Sequence, residues 1–311
     1  MPEPTLNYVS CPDASGGHRM AYWQWGDPQA GHAIVCAHGI SRQGRDFDVL
    51  AQALIARSKE PLRIACPDVV GRGRSDWLKD PAGYQIPNYV GDMLAMLAQL
   101  HGQARISVLD WLGTSMGGLL GMGISGTPNL PLPVPVRRLV LNDVGPTIQW
   151  QALQRIGSYL GNTGQFETIQ QAADAMWAIS TSFGPHTPEQ WMALSAPMVK
   201  PHPKGGFTLH YDPAIGVPFR AVTETSAAEG QAALWQAYDN IKARTLVTRG
   251  VDSDVLSRET AQAMTQRGPK ARVVEFEGVG HAPTFVTDNQ IEAVASFLLD
   301  QEDEKPDGGA S

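Results

Sequence analysis

Short apolar runs alternate with stretches of helical spacing through the first half of the chain. HRMAYWQWG (18–26) alternates and is rich in aromatics, the pattern of a strand. HAIVCAHG (32–39) is a short apolar run ending in glycine, as in a buried strand. FDVLAQALIAR (47–57) has the spacing of a helix, and LRIACPDVVGRGRSDW (62–77) reads as a strand running into a glycine-rich loop. YVGDMLAMLAQLHG (89–102) predicts a helix closed by glycine, and RISVLDWLG (105–113) another strand. A helix follows to about Ser125. VRRLVLNDVGP (136–146) is a further strand, stopped by Gly-Pro.

The pattern then changes. From about Thr147 to Tyr238 there are helical patches rich in Ala, Gln, Trp and Met, and no strong strand. ARTLVTRG (243–250) resumes the strand pattern, followed by helical ETAQAMTQR (259–267), strand ARVVEFEG (271–278) and helix NQIEAVASFLLD (289–300). Repeated strand–helix alternation predicts an α/β fold, a mostly parallel sheet with helices on both faces. The helical block reads as an insertion over one edge. The expected organisation is a core of residues 1–146 and 241–300, a helical cap of 147–240, and a disordered polar tail of 301–311.

Composition narrows the class. The chain has 311 residues, 42% hydrophobic and 18% charged, which suits a sizeable core and excludes a disordered chain. Net charge is −7, much of it in the tail after Leu299, and no basic run marks a nucleic-acid or membrane surface. The uncharged stretch Trp111 to Val136 would attract a hydropathy scan. Its glycines and the sequence TPNLPLPVPV cannot sustain a spanning helix. Three widely spaced cysteines, Cys11, Cys36 and Cys66, read as free thiols in a reducing compartment, and the N-terminus lacks the pattern of a signal peptide. These features point to a cytoplasmic protein with a small-molecule substrate, no nucleic acid and no membrane partner. They leave a homodimer open.

The candidate chemistry starts at DWLGTSMGGLLGMG (110–123). Gly113-Thr114-Ser115-Met116-Gly117 fits G-x-S-x-G, with Ser115 between a predicted strand and a predicted helix, as a nucleophile elbow requires. A serine hydroxyl needs a base and a group to orient that base. His281 in EFEGVGHAPTFV follows the last predicted strand and fits the base. Two positions compete for the acid, both between Ser and His in chain order. Asp143 in LVLNDVGP is favoured, Asp254 in GVDSDVLS is the alternative, and Asp252 comes third. Backbone N–H groups of Ile40 in CAHGIS and of Met116 would hold an oxyanion, with His38 bracing that loop rather than acting as base. Arg42 and Arg45, with Arg74, would pair with a substrate carboxylate. No H-E-x-x-H and no Cys/His cluster supports a metal, and Gly71, Gly73 and Ser75 lack the remainder of a nucleotide-binding fingerprint. No cofactor is expected. Trp177, Trp191, Met192, Met198, Phe207 and Phe219 would either line an apolar cavity or form the insertion's own small core.

Taken together, AHGIS, PDVVGRGRSDW, GTSMGG, LVLNDVGP and GVGHAP resemble the α/β-hydrolase superfamily over about residues 15 to 300. The resemblance implies an eight-stranded sheet, a cap after strand six, Ser115 as nucleophile and His281 as base. The chain departs from the family pattern where an Asp is usual after strand seven, a slot held here by Ser253. It resembles in this the branch with the acid after strand six, as in acetamidomethylene-succinate-type hydrolases. It is also similar to capped esterases, enol-lactonases and meta-cleavage-product hydrolases. The activity this implies is a cofactor-independent serine hydrolase cleaving a small ester, lactone or related carbonyl compound through an acyl-enzyme. The alternatives are C–C hydrolysis of a vinylogous diketone and a non-catalytic ligand-binding protein on the same scaffold.

Overall fold

The computed structural model describes residues 3–300, so the expected disordered tail lies outside the described residues. In chain order the first elements are strands β1 (Thr5–Cys11), β2 (His18–Gly26) and β3 (His32–Ala37), helix α1 (Asp48–Arg57), strand β4 (Leu62–Asp68) and helix α2 (Ile86–Gln103). Strand β5 (Val108–Thr114), helix α3 (Met116–Gly126) and strand β6 (Val136–Asn142) complete the first half. The chain then leaves the sheet for helices α4 (Trp150–Tyr159), α5 (Ile169–Ala178) and α6 (Pro188–Ser195), strands β7 (Val199–Pro201) and β8 (Phe207–Leu209), and helices α7 (Gly216–Arg220) and α8 (Glu224–Asn240). It returns through β9 (Arg244–Gly250), α9 (Arg258–Met264), β10 (Arg272–Phe276) and α10 (Asp288–Leu299).

Eight strands form one sheet in the order β1-β2-β4-β3-β5-β6-β9-β10. The six from β4 to β10 in that order are parallel, and β2 is antiparallel to both β1 and β4. The central strands are apolar on both sides because both faces are covered. In β5, Leu109 and Trp111 join the core under one set of helices, with Met93, Leu97 and Leu120; Leu112 joins the opposite core, with Leu50, Leu54, Val294 and Leu298. The same two-residue alternation splits Leu139 and Leu141 from Val140 in β6. Helices α1 and α10 therefore cover one face, and α2 and α3 lie on the other.

Two expectations need amendment. Strand β1 adds to the predicted elements; on this outer strand only Val9 and Cys11 are buried, so it lacks a clear apolar signal. The insertion is not free of strands, since β7 and β8 form a short antiparallel ribbon. Three residues each are too few to show a period of two. The uncharged stretch after Trp111 divides among the end of β5, α3 and a loop into β6. No helix among the described residues is long and apolar enough to cross a membrane. All three cysteines are free and buried.

Candidate active site

The turn between β5 and α3 carries Ser115 at φ 52°, ψ −116°, a conformation that L residues rarely adopt. The flanking glycines make that turn sterically feasible. A Cβ on Gly113 would sit 2.1 Å from the Gly117 carbonyl oxygen, and one on Gly117 would sit 2.0 Å from that of Ala37. The Trp111 indole donates to the Gly117 carbonyl (3.0 Å), and Ser115 N–H to that of Asn142 (3.0 Å). These bonds fix the backbone of the turn.

His281, in the loop between β10 and α10, places Nε2 3.0 Å from Ser115 Oγ and Nδ1 2.7 Å from Asp143 Oδ2. The carboxylate fixes the tautomer: Nδ1–H donates to Asp143, and the bare Nε2 faces the serine hydroxyl. Asp143 follows β6 directly, is fully buried and has φ 55°. Two further donors satisfy it: Gly250 N–H to Oδ1 (2.9 Å) and Ser253 Oγ–H to Oδ2 (2.5 Å). Three donors satisfy the buried carboxylate and hold it in place. Ser253 is itself held, accepting from the N–H groups of Val255 (3.2 Å) and Leu256 (3.1 Å).

Asp254 is elsewhere. Its carboxylate is 46% exposed and forms a two-pronged pair with Arg155 of α4 (2.7 and 3.0 Å). Asp143, favoured from the sequence, reaches His281, and the alternative Asp254 does not.

The loop after β3 passes beside the serine, and a Cβ on Gly39 would lie 3.7 Å from that of Ser115. Neither Ile40 N–H nor Met116 N–H has an acceptor among the described residues, so both are free for an oxyanion. His38 is fully buried. Its Nε2 accepts from Val69 N–H (2.9 Å), so Nδ1 carries the proton and donates to the Gly39 carbonyl (2.6 Å). Burial drives its pKa down to about 3, leaving a neutral brace.

Two cavities meet at Ser115. The first, about 330 Å³, is lined by Arg42, Tyr159, Phe166, Met176, Phe183 and Met198 and reaches His281. The second, about 630 Å³, is lined by Arg72, Tyr84, Tyr89, Leu119 and Phe219. Ile40, Ser115 and Ile156 line both.

The expected carboxylate-binding arginines need correction. Arg42 lines the first cavity, but its guanidinium is engaged by Asp46 (2.7 Å twice) and the Leu194 carbonyl (3.0 Å). Arg45 lines neither cavity; it pairs with Asp48 (2.6 Å) and Glu3 (3.1 Å) and lies over the Trp23 ring. Arg74 is exposed and outside both cavities. Within the insertion, Met198 and Phe219 line cavities, whereas Trp177 and Trp191 pack edge to face at 4.9 Å as local core. One group of potential metal ligands, Cys11, His18 and Asp92, lies outside both cavities, with ligand atoms within 4.8 Å of one another. His18 spends both ring nitrogens on Asp13 (2.8 Å) and Asp92 (3.0 Å).

A family model described as the alpha/beta hydrolase family matches residues 34–297. The chain belongs to that family. It is 48% identical over 298 residues to a 3-hydroxybutyrate-oligomer hydrolase of Cupriavidus necator, covering 95% of this chain and 98% of that one. The protein is accordingly a hydrolase. Among solved structures, an alpha/beta hydrolase from Novosphingobium aromaticivorans is 32% identical, with a TM-score of 0.80 over 96% of this chain and 99% of the other. A protein from Rickettsia typhi is 29% identical, with a TM-score of 0.81 over 94% and 98%.

Sequence reasoning missed the residues that join the loops. The Asn142 amide donates to Thr114 Oγ1 (3.0 Å) and to the Pro283 carbonyl (2.8 Å), and its oxygen accepts from Thr248 (2.8 Å). It ties the serine strand, the acid strand and the histidine loop together. Ser182 of the insertion donates to the His281 carbonyl (2.9 Å). An Asn beside the acid is the one available signal for the first; nothing in the sequence marks the second.

Proposed function

We propose that this hydrolase is a serine esterase whose substrates are short oligomers of a 3-hydroxy acid. The observation that carries the serine mechanism is the continuous line of hydrogen bonds from Asp143 through His281 to Ser115, at the meeting of two cavities. The oligomer is suggested by the 48% identical relative, since units of a hydroxy acid are joined by carboxylic esters.

Ser115 Oγ attacks the ester carbonyl as His281 Nε2 takes its proton. The Ile40 and Met116 N–H groups bind the resulting oxyanion. The leaving alkoxide takes the proton back from His281, and the acyl group stays on Ser115. Water activated by His281 then releases the acid. Asp143 orients the ring and offsets its charge. The helical insertion acts as a cap that walls both cavities and limits the size of the acid units. The same relay would serve C–C hydrolysis of a vinylogous diketone, but the 48% identical relative is an oligomer hydrolase.

The test is incubation with 3-hydroxybutyrate dimer and trimer, followed by chromatography of the products. Release of monomer, lost in Ser115→Ala, is expected. Rapid cleavage of p-nitrophenyl esters with no attack on dimer or trimer would overturn the oligomer reading and leave the esterase reading standing.

A further inference from the structure

Three arginines line the two cavities, and they differ in their counter-ions. Arg42 is paired with Asp46, and Arg155 with Asp254. Arg72, in the larger cavity, has no carboxylate within ion-pair distance among the described residues, although it is only 1% exposed. Among the described residues no Asp or Glu lines either cavity.

The Arg72 guanidinium is held firmly by neutral partners. Nε donates to the Ile40 carbonyl (2.8 Å), and Nη1 donates to the Val70 carbonyl (2.7 Å) and the Tyr89 hydroxyl (3.0 Å). Among the described residues Nη2 has only the Met116 sulfur, at 3.8 Å, as a hydrogen-bond partner, and the guanidinium lies over the Tyr89 and Tyr84 rings at 5.0 and 5.8 Å. The Tyr89 hydroxyl accepts from Arg72, and its own proton has no acceptor among the described residues. Arg63 is also buried without a carboxylate, but it meets backbone carbonyls of Pro28, Leu100 and Ala104 and lines neither cavity. Arg72 differs because it and Tyr89 line the cavity that contains Ser115.

We propose that Arg72 and Tyr89 form a carboxylate subsite for the free acid end of the oligomer. This rests on the ester-oligomer reading above. Burying a cation without an anion is costly, and an incoming carboxylate would recover the missing Coulomb and hydrogen-bond energy. Arg72 also grips Ile40, whose N–H is free for the oxyanion, so the anion would bind beside the reacting carbonyl. In a 3-hydroxy acid the ester oxygen and the carboxylate are separated by only a short run of bonds. The terminal unit therefore fits as the leaving group in the larger cavity, with the acyl part in the smaller one. The enzyme cuts from the acid end and releases one hydroxy acid at a time.

The experiment compares kcat/KM for 3-hydroxybutyrate dimer with that for its methyl ester in wild type, Arg72→Gln, Tyr89→Phe and the exposed control Arg74→Gln. Wild type should prefer the free acid by about tenfold or more, the scale of a charge-assisted pair. The preference should fall towards one in Arg72→Gln, drop several-fold in Tyr89→Phe, and persist in Arg74→Gln. A purely structural role for Arg72 would lower both substrates together and keep their ratio. Equal rates on acid and methyl ester in wild type, or a preference that survives both cavity variants, overturns the proposal. Tyr89→Phe decides the matter where Arg72→Gln does not fold. Failure of wild type to cleave either dimer overturns the oligomer reading instead. Calorimetric titration with 3-hydroxybutyrate then judges the subsite alone. Binding weakened about tenfold in Arg72→Gln and several-fold in Tyr89→Phe supports it; no binding, or equal binding by all the proteins, overturns it.

Discussion

The loops after β6 and after β9 each bring an aspartate to the carboxyl end of the sheet, yet their environments are opposite. Asp143 is sealed from water, accepts three hydrogen bonds and lies against His281. Asp254 is half exposed and turned outward to Arg155. Between them stands Ser253, which reaches the same Asp143 oxygen that faces His281. The second loop therefore supplies a hydroxyl donor to the acid, and the acid itself follows the adjacent strand. A carboxylate orients a histidine well only where the fold desolvates it and then supplies its donors.

That contrast can be broken most severely at the relay itself. Ser115→Ala and His281→Ala should each lower ester turnover by roughly 10⁴- to 10⁶-fold with folding intact, read by steady-state kinetics beside circular dichroism. Asp143→Asn should cost roughly 10⁴-fold in kcat, because the amide no longer fixes the Nδ1–H tautomer. Asp254→Asn should stay within a few-fold of wild type and change stability by only about 0–1 kcal/mol, as expected for an exposed pair. Moving the charge to the second loop sharpens the comparison: Ser253→Asp added to Asp143→Asn should recover at least about tenfold of the lost kcat, since that position already touches the acid. Ser253→Ala alone should lower kcat by about tenfold and cost about 1–3 kcal/mol in urea unfolding, having removed a donor to a buried carboxylate.

The smallest expected effect separates His38 from His281. The folded-state pKa of His38, about 3, lies below its unfolded value near 6.5, because burial disfavours the imidazolium. Its contribution to stability is therefore complete above about pH 6.5 and is lost as pH falls towards 3. The gap in melting midpoint between wild type and His38→Asn should narrow between pH 7 and pH 4. A constant gap would contradict the neutral, bracing role.

Much of this arrangement was legible because its causes are local. The parallel strands announce themselves as apolar runs buried on both faces, and G-x-S-x-G encodes a turn that only small neighbours permit. Ser115 could be named because it follows β5 directly within that motif, and His281 because it lies in the loop after the last strand. Asp143 and Asp254 were nearly equivalent in sequence, since both follow strands with turn residues beyond. What separates them is a three-dimensional contact between adjacent strands, seen in the Gly250 and Ser253 donors. Arg42, Arg45 and Arg72 carry the same lesson. Composition gives their charge, but only packing shows that Arg42 and Arg45 are neutralised by aspartates and that Arg72 is not.

The central claim is that Asp143, through His281, activates Ser115. Its most direct test is the rate of labelling by a fluorophosphonate, with the modified peptide identified by mass spectrometry, in wild type, Asp143→Asn and Asp254→Asn. Fast modification of Ser115 in wild type and Asp254→Asn, with labelling of Asp143→Asn slowed by orders of magnitude, is the expected result. Equal labelling in Asp143→Asn and wild type, or slow labelling confined to Asp254→Asn, would contradict it.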